Sequence, residues 1–113
     1  DYTSDQEMQN LFDNRISDEQ VLIQAEVIKN LADDNEGSRH QKFIVKLASE
    51  QTILVSHNID LADKIDNLQE GDEVSIHGEY EWNDRGRGIH WTHNDPDGQH
   101  IRGWIKHHGD LYE

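Results

Sequence analysis

Val21-Leu22-Ile23-Gln24-Ala25-Glu26-Val27-Ile28 decides the fold. Val21, Ile23, Ala25 and Val27 fall on one side of a two-residue period, and Leu22, Gln24, Glu26 and Ile28 on the other. A helix cannot sort that pattern into faces, whereas a pleated strand does so automatically. The reading is one long first strand running to about Leu31. Upstream, Ser4-Asp5-Gln6-Glu7 has the spacing of a capping box, with Met8, Leu11 and Phe12 on one helical face behind it, so residues 1–17 form an N-terminal helical segment. Downstream, Asp33-Asp34-Asn35-Glu36-Gly37-Ser38 is turn chemistry.

The period of two then recurs. His40 to Leu47 alternates Gln41, Phe43, Val45 and Leu47 with His40, Lys42, Ile44 and Lys46, and Thr52 to His57 makes a third strand. Asn58-Ile59-Asp60-Leu61-Ala62-Asp63-Lys64-Ile65 offers a capping Asn and apolar residues at 61, 62 and 65, which predicts a short helix. Gly71-Asp72 turns the chain into a fourth strand, where Val74, Ile76 and Tyr80 alternate with Ser75, His77, Glu79 and Glu81. Asn83 to Gly88 forms a hairpin tip, a fifth strand spans Gly88 to His93 with Ile89 and Trp91 inward, and Gly103-Trp104-Ile105-Lys106-His107 adds an edge strand or a cover. The expected fold class is mainly β: an OB-like five-stranded barrel with an N-terminal helix and a short helix between strands 3 and 4. An antiparallel sheet with two helices is the alternative. All 113 residues make one domain, 1–17 helical and 18–113 barrel plus C-terminal extension.

Composition narrows the function classes. With 24 acidic and 10 basic residues the formal charge is −14, which repels phosphate backbones and argues against general nucleic-acid binding. The same acidity serves solubility or suits a saline habitat. Cysteine is absent, so thiolate metal sites and disulfides are excluded. No run approaches the length of a membrane span. A first residue of Asp rather than Met points to a mature, exported chain, periplasmic or secreted.

Gly37-Ser38-Arg39-His40-Gln41-Lys42-Phe43, His57-Asn58-Ile59-Asp60-Leu61-Ala62, Gly71-Asp72-Glu73-Val74 with Gly78-Glu79-Tyr80-Glu81-Trp82, and His90-Trp91-Thr92-His93 with Asp95-Pro96 and Gly103-Trp104-Ile105 resemble, jointly, a small bacterial family of uncharacterised domains, domain of unknown function 3465. The resemblance covers nearly everything after residue 20. It implies a bacterial, often exported, OB-like domain and supplies no catalytic residues.

Chemistry concentrates in Gly88-Ile89-His90-Trp91-Thr92-His93-Asn94-Asp95-Pro96 and the nearby His100. On a straight strand His90 and His93 face opposite ways, so His-x-x-His is no ready chelate. Topology brings more together: in an OB barrel the third and fifth strands are parallel neighbours and the second runs antiparallel to the third. The start of strand 2 and the ends of strands 3 and 5 therefore meet, gathering the ligand-binding candidates His40, Gln41, His57, Asn58, His93 and Asp95, with Asp33 and Asp34 arriving from the first turn. His40, His57 and His93 are the metal candidates, for a divalent ion such as zinc with an open position. The function expected is binding of a metal ion or small polar ligand at this His-rich barrel end. The alternatives are a metal-dependent hydrolase in which Asp95 or a free imidazole moves the proton, an acidic protein-interaction module, and hydrogen-bonded histidines that merely tie loops to the barrel.

The weaker signals read as structure. His77, and His107-His108, are expected to be solvated. Asp95-x-Asp97-Gly98 fails as a calcium loop, since His93 and Trp104 would occupy acidic-ligand positions. Tyr80, Trp82, Trp91 and Trp104 offer a stacking platform, although the first three share the core phase. Arg85 and Arg87 form a basic pair at the hairpin tip. No nucleophile elbow, P-loop or His-Glu-x-x-His sequence occurs.

Overall fold

The computed structural model describes residues 1–84 and 86–113. Arg85, half of the expected basic pair, lies outside the described residues. One helix, α1 (Asp5–Asp13), precedes seven strands: β1 (Glu19–Asn30), β2 (His40–Lys46), β3 (Thr52–Asn58), β4 (Glu73–Asn83), β5 (Gly86–His90), β6 (Trp104–His107) and β7 (Asp110–Tyr112). They form one sheet in the order β1-β2-β3-β5-β4-β6-β7, and an additional β1–β4 pairing closes the first five into a barrel. β3 and β5 run parallel while β2 and β3 run antiparallel, the arrangement on which the expected convergence rests.

β1 makes closure feasible by serving two partners. Its first part, Glu19 to Glu26, pairs with β4, its last part pairs with β2, and Glu26 opposes both Glu73 and Lys46. A register shift between Val27 and Lys29 inserts an extra residue there, bending and twisting the strand as a barrel corner requires. Alternation fills the interior with Val21, Ile23, Ala25, Val27, Phe43, Val45, Ile53, Val55, Val74, Ile76, Tyr80, Ile89 and Ile105. α1 closes one end: Ser4 and Glu7 form the expected capping box, and Met8 is wholly buried against the core.

The helix expected between β3 and β4 is not present; only a single turn forms. Asn58 Oδ1 accepts from the amides of Asp60 and Leu61, and Asn58 O from Ala62 N. Beyond that turn, barrel side chains claim the backbone groups that a helix would pair internally. Gln41 accepts from Ile65 N at 2.9 Å and donates to Ile65 O at 3.2 Å, and His57 binds Asp63 O. Ala62, Ile65 and Leu68 are pinned as a buried lid in non-helical backbone.

The fifth strand also stops early, at His90. Trp91 adopts a positive φ of 52°, and its side chain, expected in the core, is 39% exposed, while Thr92 and His93 turn inward. The cause is a close backbone interlock. A Cβ on Gly103 would lie 2.0 Å from Trp91 O, one on Gly78 would lie 2.7 Å from His90 O, and Gly103 N donates to His93 O. Two glycines thus let the 90–93 segment leave the ladder and cross over β4. After it, the C-terminal piece becomes β6, paired with β4, and β7 forms the edge.

Candidate functional site

His57 and Gln41 oppose each other across β2 and β3 and both point inward, where His57 is completely buried. His57 Nε2 lies 3.0 Å from Asp63 O, a carbonyl that only accepts, so Nε2 carries the proton. Nδ1 then accepts the hydroxyl proton of Thr92 at 2.7 Å. Burial drives the imidazole pKa down to about 4, so the ring is neutral. Hydroxyl, imidazole base and orienting carbonyl form the sequence of a nucleophile relay. Thr92 is fully buried, however, and no substrate reaches its oxygen: this is a pin holding the 90–93 crossover to β3.

The other sequence candidates are placed as follows. His93 is buried and coupled electrostatically to His57, and its Nδ1 donates to Asn94 O. His40 sits on the opposite phase of β2, half-buried, donating through Nδ1 to Ser38 O, and its charge is also felt at His57. Asn58 is the turn cap already described. Asp95 accepts from the amides of Asp97, Gln99 and His100, and these bonds, first that from Asp97, hold its carboxyl below the usual range. Asp33 and Asp34 pair with Lys64 and Lys42. The topology therefore gathers His40, His57 and His93 towards one end, but both ring nitrogens of His57 are engaged by protein groups.

Among the described residues, ligand atoms of three side chains come within 4.8 Å of one another in two places. One joins Asp72, His107 and His108. His107, expected to be solvated, is buried and donates through Nε2 to Asp72 Oδ2 at 2.7 Å; His108 Nε2 lies 3.6 Å from Oδ1. The two rings stack at 3.9 Å with 21° between planes. This cluster is a clamp between the Gly71-Asp72 turn and the β6–β7 hairpin.

The second cluster is Glu79, Glu81 and His90. Glu79 and Glu81 are alternate residues of β4, on its outer face, and His90 of β5 pairs directly with Glu79. Glu81 faces Gly88, which presents no side chain, leaving its carboxylate free to lean towards the imidazole. His90 Nε2 lies 3.1 Å from Glu79 Oε1 and 3.5 Å from Glu81 Oε1. Bond arms of 2.0–2.1 Å around a tetrahedral ion give ligand-to-ligand edges of about 3.3 Å, which these separations bracket. Asp18, held at a positive φ of 64° just before β1, adds a third carboxyl. A hydrogen bond shared with Glu81, then the charge of Glu81, raise the Asp18 pKa. The His90 ring stacks on Trp91 at 4.8 Å, and Trp91 stacks on His100 at 4.6 Å, so the imidazole is held in orientation by the crossover segment.

Glu79 and Glu81 fall outside the sequence-predicted set because that set gathers one end of the barrel, whereas these carboxylates meet His90 on the outer face of the β4–β5 pair. The signal was available: with two positions between Asn83 and Gly86, counting outward along the β4–β5 hairpin places Glu79 opposite His90. His77, expected to be solvated, is also half-covered, tilted against Trp104 at 5.6 Å with its Nδ1 buried and unpartnered.

Among the described residues no helix is long and apolar enough to cross a membrane. Comparison with curated proteins and with solved structures returns no match. The model of a family described as a protein of unknown function, DUF3465, matches residues 1–113, and the chain belongs to that family.

Proposed function

We propose that this protein is a divalent-cation-binding, OB-like barrel whose site is the outward carboxylate–imidazole cluster of Glu79, Glu81 and His90. The observation that carries the reading is the spacing of the His90 nitrogen from the two carboxylates, 3.1 and 3.5 Å, on directly paired strands. Cross-strand pairing fixes the separation of the donors before any ion arrives, which limits the ordering entropy that binding must overcome. Oxygen-rich donors with one imidazole suit zinc or manganese better than calcium, which takes six to eight oxygens. The site lies on the His-rich 90–100 segment, displaced from the His40, His57 and His93 set to the barrel's outer face. Three protein donors leave room for a water or a small polar ligand on the ion.

Calorimetric titration of chelator-treated protein with Zn²⁺ and Mn²⁺ tests the assignment. One equivalent should bind. Glu79→Gln with Glu81→Gln, or His90→Ala, should remove that binding, whereas His107→Ala with His108→Ala should retain it. Absence of binding, or binding indifferent to the first set and lost with the second, overturns the reading.

A further inference from the structure

The β6–β7 ribbon carries, on its outer side, an open groove of about 790 Å³ whose lining includes His77, Trp104, Lys106, Leu111, Ile101, Arg102 and Glu113. Ile101 and Leu111 are 60% and 52% exposed, two of the largest apolar side chains left uncovered. Its charge runs against the rest of the molecule. In a chain of net −14, the groove holds two cations and one acid. Arg39, Lys42, Lys46 and Lys64 each meet a carboxylate within 4.0 Å, whereas among the described residues Lys106 and Arg102, like Arg15, Lys29 and Arg87, meet none, and Arg102 Nε donates to the neutral Asn94 amide. Two uncompensated cations over an apolar floor complement a partner that is both apolar and anionic.

The backbone supplies the rest. β7 is the free edge of the sheet. Its hairpin turns through His108 and Gly109, both at positive φ, so His107 and Asp110 form the hydrogen-bonded pair next to the turn and Leu111 opposes Lys106 at a non-hydrogen-bonded position. The N–H and C=O of Leu111 therefore point away from β6, free to pair with an added strand. Alternate side chains of such a strand would lie over the groove face.

We propose that the β7 edge is a docking site for an extended acidic peptide of a partner protein, added as a strand beside Leu111, with apolar side chains against Trp104 and Leu111 and carboxylates on Lys106 and Arg102. The proposal is independent of the cation site.

Fluorescence anisotropy with the labelled octapeptide Val-Ser-Asp-Ser-Val-Ser-Asp-Ser, which places Val and Asp in turn on one face of an extended strand, provides the test. The peptide should bind, and Lys106→Glu with Arg102→Glu should weaken it at least tenfold while leaving the circular dichroism unchanged. Methylating alternate peptide nitrogens, which removes strand pairing but keeps charge, should also weaken it at least tenfold. Three results overturn the proposal: equal binding of the same peptide with Lys in place of each Asp, undiminished binding of the methylated peptide, or no binding up to about 1 mM. Self-association in sedimentation that Leu111→Asp abolishes would assign the edge to a second copy instead, and would equally overturn it.

Discussion

Acid should loosen this fold through His57 before it reaches most carboxylates. Unfolded, the imidazole titrates near 6.5; folded, burial holds it at about 4. Between those values the unfolded chain binds a proton that the folded chain refuses, so stability is complete above pH 6.5 and falls as pH falls towards 4. A gap of about 2.5 units at 1.36 kcal/mol per unit amounts to about 3 kcal/mol in full, and about 2 kcal/mol of it is lost between pH 7 and pH 5. For a chain of this length that corresponds to a fall of about 8 °C in Tm. The low-lying carboxyls of Asp34, Asp60, Asp72 and Asp95 lose their contributions at lower pH, largely outside the window.

The informative perturbation is His57→Gln, which keeps an amide N–H for Asp63 O and an oxygen within reach of Thr92 but cannot titrate. Thermal unfolding by circular dichroism from pH 7.5 to 4.5 should show the wild type losing about 2 kcal/mol more than the variant over the shared range. NMR of the ring should find the proton on Nε2 and no titration above pH 5. Parallel pH profiles, or a measured His57 pKa near 6.5, would refute the buried neutral pin.

Gly103→Ala should cost more than about 3 kcal/mol, or prevent folding, because its Cβ would meet three backbone atoms at 2.0–2.8 Å; Gly37→Ala, in open space at a φ of 65°, should cost about 1 kcal/mol by urea denaturation. Trp91→Ala should cost no more than about 2 kcal/mol, since the ring is partly exposed and loses chiefly its stacking on His90 and His100, whereas Phe43→Ala in the core should cost about 3 to 5 kcal/mol; equal midpoints would contradict the outward placement. Fluorescence titration should show no binding of generic single-stranded DNA at physiological salt, given the charge of −14, and salt-sensitive micromolar binding would count against it.

Alternation alone was enough to find the barrel strands, because a strand with one face in the core must repeat every two residues or expose its apolar set. It failed where backbone groups found partners outside their own element. The lid from Ile59 to Leu68 has helical composition, yet Gln41 and His57, distant in sequence, take its backbone groups. Trp91 has the inward phase, yet the glycines at 78 and 103 admit a crossover that reverses it. Neither event leaves a periodic trace in the segment it changes.

The site was legible to a different degree, for a related reason. Strand order alone brings His40, His57 and His93 towards one end of the barrel, but it says nothing of which hydrogen bonds each ring makes once there. A buried imidazole must satisfy both nitrogens, and in the case of His57 the fold does so with Thr92 and Asp63, leaving no lone pair for an ion. An outward residue carries no such obligation. His90 Nε2 is hydrogen-bonded to Glu79 Oε1 on the outer face, where a cation could replace the shared proton, and the Glu79 and Glu81 carboxylates repel each other unless a positive charge lies between them. In this barrel, then, His57 serves the fold, whereas the proposed cation site draws on outer-face groups whose separations strand pairing sets without sealing them away.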